Sequence, residues 1–578
     1  MIIPDNAERK RTYIKFILDT CLMSRADRRD LYDKRRLYFL FGTANNLNQA
    51  DVRYNRIESH LDLVSAFLFS PDHATFSLAA PLNSPDDEVK QFMAAEDKYN
   101  QDFRDAGLFD TFGDAMPWAL VFDSMLLKCG WNETRSEPNC QMIQPDEFGV
   151  FAEEITDLDE QQAFVHSYHI DYDNAVQRLT RAGLSAFIDK LTVVNTPFES
   201  PFPEMITRMI VASTGGGDLT GNVTGSINPS YIARPSYTAK VDRPLVALHE
   251  LTVWDDDRND YRLFFVLDPD IIISDSKDTI EVLKKTGPQK KGLENFYNTQ
   301  CNPFFPKEHP YIHIRPYPVG KYFWGKAHIE SLIPLQDWST ERLDQIHDLL
   351  EKQAYPPRVG SGFLGLSDEK MEAFGGADSW VMDQLPGAKI EQLYPKMPED
   401  IFADYTQIGQ LFMEASGLTE VLQGRSTSGV RSQGHAKELK STGAGRIRKT
   451  AIALEGALTR MGDIFLKLHQ RNSDSKIVPD PQEDGKPGNP FYYHNLSSEY
   501  SLRVAGHSHS PLFVDDTREL AAALFKAQAI DREQLLRLLN PPNRDAMIHA
   551  LRSRMAKEAQ QRAMNPQPQR GGKPKAVA

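Results

Sequence analysis

The sequence predicts a mixed α+β fold divided among several domains, and three observations predict it. The chain has 578 residues, more than one hydrophobic core ordinarily organises, so roughly two to four domains are expected. Apolar residues recur at helical spacing in the first seventy or so positions, again mid-chain, and again from about residue 434. Between those blocks, from about Trp131 to Leu267, the pattern changes to clustered or alternating β-formers separated by turns.

Each element follows from its local pattern. Residues 6–69 read as helical: Ile14, Ile17, Leu18 and Cys21 share one face, and Ile57, Leu61, Val64 and Leu68 share another, before Ser70 and Pro71 stop the run. Residues 86–112 continue helical, and 116–129 is apolar enough to be buried. Strands are expected at 147–152, 163–170, 245–254 and 261–267, with the acidic run Asp255–Asp260 as a hairpin tip between the last two. Residues 213–230, rich in Gly, Thr and Asn, read as a loop. Next comes a helix over 331–353, with Leu332, Leu335, Trp338, Arg342, Ile346, Leu349 and Leu350 on one face, closed by Tyr355-Pro356-Pro357. A compact Gly- and Pro-bounded segment, 358–397, leads to Pro398, which suits a first helical turn. The helix it opens carries Ile401, Tyr405, Ile408 and Phe412 at one-face spacing and ends at Ser416-Gly417. A polar small-residue loop, Gln423–Ser432, precedes a long helical pattern from near Gly434 through Leu439, Ile447, Ala451, Leu454, Leu458, Met461, Phe465 and Leu468. At 1.5 Å per residue that helix reaches about 55 Å, with a kink expected at Gly443 and Gly445. A loop to Gly488, a strand over 499–505, helices over 516–564 broken at Asn540-Pro541-Pro542, and a tail with nothing to bury complete the chain.

Composition narrows the function. The net charge of -14 argues against a clamp on nucleic acid, because tight non-specific binding needs a basic surface to replace condensed counterions. A passage for DNA is compatible with that sign. No stretch approaches the length of a membrane span and the first residues are polar, so neither membrane insertion nor secretion is expected. Four widely spaced cysteines lack CxxC spacing and read as free, partly buried thiols.

Signatures of chemistry are weak. Gly360–Gly365 matches GxGxxG by letter but follows a helix and a Pro-Pro break rather than a strand, so a glycine-rich turn is expected. Neither a GxxxxGK[ST] phosphate loop nor a GxSxG elbow occurs. His166 with His169, and His507 with His509 near Asp515 and Asp516, are metal ligands by type only, each pair lacking a third close ligand. The acidic run Glu153–Glu160 lacks the glycine and alternating ligands of a calcium loop and reads as a solvated turn. Neither a catalytic residue, a metal nor a cofactor is expected. One charge feature stands out: Arg431, Lys437, Lys440, Arg446, Arg448 and Lys449 against the single acid Glu438, with Arg425 just before. Such a cluster is either a solvated or ion-paired helix face or a wall making loose phosphate contacts.

The order helix, Gly/Pro-bounded insert, helix, polar loop, very long helix resembles the core of the portal proteins of tailed bacteriophages. Phe323–Leu332 followed by Leu335-Gln336-Asp337 is similar to that family's entry into its first stem helix. Glu414–Leu418 through Leu422-Gln423-Gly424 is similar to the exit from its second. Ser428–Ser432, leading into Ala436 and Leu439, resembles its tunnel-loop junction, and Gln144–Gly149 with Val246–Trp254 its β-rich wing. The resemblance spans about residues 100–545. It implies a phage portal fold with a wing (1–325), a first stem helix (326–355), a clip (356–397), a second stem helix (398–416) and a tunnel loop (417–433). A long wing helix with its return (434–515), a helical crown (516–564) and a disordered tail (565–578) would follow. It implies a ring, usually a dodecamer, at one vertex of the virion, assembled in the bacterial host cytoplasm. Double-stranded DNA would pass non-specifically along Arg425, Ser426, Thr427, Ser428, Gly429, Arg431, Lys437 and Lys440. Leu335, Trp338, Ile346, Leu349, Ile401, Tyr405, Ile408 and Phe412 would pack the stem, their stripes partly exposed until subunits assemble. Implied partners are the terminase large subunit, the head-tail adaptor, and the major capsid and scaffolding proteins. Another phage head-tail connector ring, or a metal-dependent nucleic-acid-processing enzyme with scattered acids, are the alternative readings.

Overall fold

Three helices open the chain: α1 (Ala7–Ala26), α2 (Arg29–Phe41) and α3 (Arg56–Leu68). Gly42, at φ +68°, ends α2 in the left-handed region and donates its N–H to the Tyr38 carbonyl. Asn55 caps α3 by accepting from the Glu58 N–H. Strand β1 (Phe76–Ala79) and helices α4 (Asp86–Asp105) and α5 (Leu108–Phe122) follow. The apolar run 116–129 is buried as expected, but it is two elements: Asp123 at φ +86° ends α5 and β2 (Met125–Asn132) begins at once. Next come β3 (Glu137–Ile143), β4 (Phe148–Val150), β5 (Ala163–Asp171), α6 (Tyr172–Arg181), β6 (Val194–Pro197), β7 (Asp242–Asp255), β8 (Asp260–Leu267), β9 (Ile271–Asp275) and α7 (Ser276–Thr286). After β10 (Tyr311–Ile314) come α8 (Ile333–Ala354), β11 (Arg358–Phe363), β12 (Gln384–Gln392), α9 (Ile401–Ser416) and α10 (Gly445–Asn472). Short strands β13 (Lys476–Ile477), β14 (Phe491–Tyr492) and β15 (Ser501–Val504), then α11 (Arg532–Leu539), close the order. This computed structural model describes residues 1–26, 28–43, 54–72, 74–81, 84–197, 242–286, 301–354, 358–363, 384–392, 400–416, 445–478, 490–497, 499–504 and 520–539, with a few isolated positions besides. The expected loop 213–230, the polar loop with the start of the long helix (417–444), His507 and His509, and the tail 565–578 lie outside the described residues.

The architecture is mixed α+β. A six-stranded antiparallel sheet has the order β4-β5-β7-β8-β9, with β6 also pairing with β7, and Asp255 faces Asp260 across its β7–β8 turn. Alternation decides what each face covers. Ala163, Val165, Leu251, Val253, Phe264 and Val266 meet the α1 stripe Ile14, Ile17, Leu18 and Cys21. On the opposite face Phe148, Phe164 and Tyr261 meet Tyr311, Phe323 and Trp324. Gly149 is required where α1 crosses β4, since a Cβ there would lie 2.2 Å from the Cys21 carbonyl oxygen.

The largest core belongs to the helical body. The described part of the long helix, α10, buries Ile447, Ala451, Leu454, Leu458, Met461, Phe465 and Leu468 in that core, the stripe its spacing predicts. Each of these side chains except Ala451 contributes about 1.5–3 kcal/mol by leaving water. α10 crosses the β1–β15 pair at Gly462, where a Cβ would fall 2.6 Å from the Phe76 ring, and Tyr99 Oη donates to the Gly462 carbonyl at 2.6 Å. Phe76, Phe103 and Phe109 pack there with ring centroids 4.5–5.5 Å apart.

Candidate functional site

Helices α8 and α9 pack on one another, joined through the antiparallel hairpin β11–β12, and their ion pair Arg342–Asp404 (2.5 Å) sits between them. The glycines of Gly360–Gly365 that are described lie in β11, paired to β12 with Gly360 opposite Ile390. They form a strand of a hairpin, not the turn expected, and they do not stand between a strand and a helix as a dinucleotide loop does.

The expected stem residues come together, but within one subunit. Ile346, Ile401, Ile408 and Phe412 are buried, Ile408 and Phe412 in the core of the helical body. Leu335 and Trp338 are half-buried against that core; Tyr405 and Leu349 are half-buried. Within one subunit, then, four of the eight are buried and four are half-buried: the two helices cover one another and the body covers their roots. What remains exposed is Leu350 (48%) and Phe402 (52%), toward the hairpin end.

The buried face of α8 is also rotated from the apolar stripe. Its fully covered positions are Gln336, Ser339 and Ile346, following Leu332. Gln336 is the residue that sequence reasoning passed over. Its Oε1 accepts from the Arg56 backbone N–H (3.1 Å) and its Nε2 donates to the Tyr54 carbonyl (3.0 Å). Arg56 is the first residue of α3, so its N–H has no partner inside its own helix and Gln336 supplies one. The Arg56 guanidinium then lies over the Tyr405 ring at 4.6 Å and near that of Phe412 at 5.8 Å. Gly409 leaves room for it, a Cβ there being 2.8 Å from Arg56 Nη1. One residue of α3 thereby holds both α8 and α9.

A second set of contacts fixes the entry to α8. Tyr38 Oη donates to Asp337 at 2.8 Å, and burial with that carboxylate pushes its phenol up to about 12. Arg35, 2% exposed, pairs with Asp123 at 2.9 Å and with Glu330. Burial pushes the Asp123 carboxyl up to about 6, against the pull of Arg35. In the segment between, Phe323 and Trp324 are buried, and Gly325 passes so close to the chain that a Cβ would lie 2.6 Å from the Asp123 oxygen and 2.8 Å from that of Tyr317. His60 stacks on His328 at 5.8 Å with rings 7° from parallel, and burial pushes the His60 imidazole down to about 4.

The remaining candidates resolve differently. Arg425, Ser426, Thr427, Ser428, Gly429, Arg431, Lys437 and Lys440 all lie outside the described residues, while Lys449 of α10 is exposed. His166 is buried and His169 exposed on β5, three positions apart and hence on opposite faces, so the pair does not converge. The acidic run 153–160 is more than a solvated turn: Glu153 pairs with Arg28 and accepts from Trp324 Nε1 (3.2 Å), and Asp159 pairs with Arg460 of α10 and His309 (2.9 Å). These carboxylates tie helices to the sheet. Among the described residues no three His, Cys, Asp or Glu side chains group as metal ligands, and no helix is long and apolar enough to cross a membrane.

No family model matches the chain, and no curated protein matches it. Among solved structures, it resembles a chain in the neck of an empty GTA particle computed with C6 symmetry, at 10% identity and TM-score 0.36, covering 84% of this chain and 90% of that one. It likewise resembles a chain in the virion of a native gene transfer agent (GTA) particle, at 8% identity and TM-score 0.34, covering 84% and 89%. Similarity at this level carries no argument about function, which rests on the chain's own geometry.

Proposed function

We propose that this chain is the ring-forming portal subunit of a tailed-phage-like particle, a non-catalytic wall around the passage for double-stranded DNA. The observation that carries the reading is the ordered unit α8, hairpin, α9, followed by the long buried helix α10 and rooted in the body through Gln336 and Arg56. A rigid helix pair anchored at one end and tipped by a hairpin suits a tube built by repetition around an axis, with the hairpin as the rim that partners grip. Charge supports the same reading. α8 and α9 carry the acids Asp337, Glu341, Asp344, Asp348, Glu351, Asp404 and Glu414 against only Arg342 and Lys352. A duplex sliding past such a wall is repelled rather than held. Phosphate contacts would then fall to the basic segment 425–449, repeated once per subunit. The terminase motor and then the head-tail adaptor would dock at the hairpin, with capsid and scaffolding proteins around the body.

Native mass spectrometry tests the assembly, which should appear as a single whole-number multiple of the 65.4 kDa subunit. Deleting 356–397 should preserve that multiple and abolish binding of the motor or adaptor; retained binding would remove the hairpin from the reading.

A further inference from the structure

Cys129 and Cys140 are direct partners across the antiparallel β2–β3 pair. Which kind of pair they make follows from the backbone. The Cys129 N–H points away from β3 and bonds the Pro310 carbonyl on the β10 side at 2.7 Å. Because successive residues of a strand alternate the direction of their N–H and C=O groups, Cys129–Cys140 is a non-hydrogen-bonded pair of the β2–β3 ladder. Pro138 gives an independent check: it faces Trp131 two positions along, in the same phase, where a residue without an N–H is tolerated because the ladder asks nothing of it. In such pairs the Cα atoms lie about 4.5 Å apart with side chains drawn together, inside the roughly 4.4–6.8 Å range of disulfides. The two thiols differ in accessibility: Cys129 is 2% exposed in the core of the helical body, and Cys140 lies half-buried at its margin.

We propose that Cys129 and Cys140 are a dithiol site that closes to a cross-strand disulfide when the folded protein meets a small disulfide oxidant, pinning the β2–β3 hairpin beneath α10. The order of attack follows from exposure. The Cys140 thiolate attacks one sulfur of the reagent, forming a mixed disulfide and expelling the reagent's other half as a thiolate. The Cys129 sulfur then displaces the second half from Cys140, its proton passing to the departing thiolate. Two protein thiols are oxidised, one reagent disulfide is reduced to two thiols, and no backbone shift is required. Cys21 and Cys301 are buried, are not strand partners of any cysteine among the described residues, and stay reduced.

The test uses the full chain under native conditions with 2-hydroxyethyl disulfide, followed by acid quench, denaturation, maleimide counting of thiols and peptide mass mapping. Native protein should lose two of its four thiols, with the linkage mapped to 129 and 140, and its melting temperature should rise and return on reduction. Cys129→Ser should stop at a mixed disulfide on Cys140, and Cys140→Ser should retain all its thiols. Four intact thiols in the native protein, or a lasting mixed disulfide on Cys140 with Cys129 present, would overturn the proposal. The outcome does not depend on the portal reading.

Discussion

Replacing Gln336 by Leu tests the claim that α3 roots the helix pair. The substitution keeps side-chain volume nearly constant, so packing around α8 is spared and the loss is polar. It strands two main-chain groups, the Arg56 N–H and the Tyr54 carbonyl, which Gln336 now satisfies at 3.1 and 3.0 Å. Leaving a buried group without a partner costs about 1–3 kcal/mol. Relaxation of the Tyr54 side, which is the more exposed, brings the expected total to about 2–4 kcal/mol. The assay is urea unfolding followed by circular dichroism at fixed protein concentration. Ser339→Ala, also on the buried face of α8, serves as the control and should cost about 1 kcal/mol or less. A Gln336→Leu midpoint within the control's range would refute the argument: the helix pair would then be held by its apolar contacts alone.

Other outcomes follow from the same geometry. The His60 imidazole is lowered from 6.5 to about 4 by burial. The unfolded chain therefore binds the extra proton first, and stability complete above pH 6.5 is lost as pH falls toward 4. About 2–3 kcal/mol is lost by pH 4.5; urea titrations should show His60→Leu with a shallower pH slope than the parent by that amount, and equal slopes would contradict the assignment. Gly325→Ala forces a Cβ against the carbonyls of Asp123 and Tyr317, and should destabilise by about 1–3 kcal/mol, read as a lower melting temperature. Replacing Arg425 and Arg431 together by Ala should leave assembly intact and reduce packaged DNA, measured as nuclease-protected DNA per particle; unchanged packaging would remove those cations from the channel. A nuclease reading would be favoured instead by DNA cleavage that a chelator abolishes.

Periodicity located most elements because burial has a period: the α1, α3 and α10 stripes and the strands at β5, β7 and β8 appear where their apolar spacing places them. The failures share a physical cause. In the run 116–129 eleven of fourteen residues are buried, across helix and strand alike, so composition could not separate the end of α5 from the start of β2, a boundary set by Asp123 at positive φ. On α8 the apolar letters marked Leu332 and Ile346, which are buried, but also Leu335 and Trp338, which are half-buried, and Leu350, which is exposed, while Gln336 and Ser339 are covered. A glutamine whose two ends both reach main-chain groups buries as well as a leucine, and nothing local in the sequence announces those distant partners. The only available signal was the regular spacing of Leu332, Gln336 and Ser339. Glu153 and Asp159 were equally opaque, because Arg28 and Arg460 approach them from elements far away in the chain.

Everything mechanical in this reading requires copies of α8 and α9 to stand around an open axis. Single-particle electron microscopy of the purified chain measures that directly. Closed rings with a central hole, bordered by the α8–α9 pair and capped by the β11–β12 hairpin, are the predicted images. Isolated subunits at high concentration, or assemblies with those helices turned away from any opening, would contradict it.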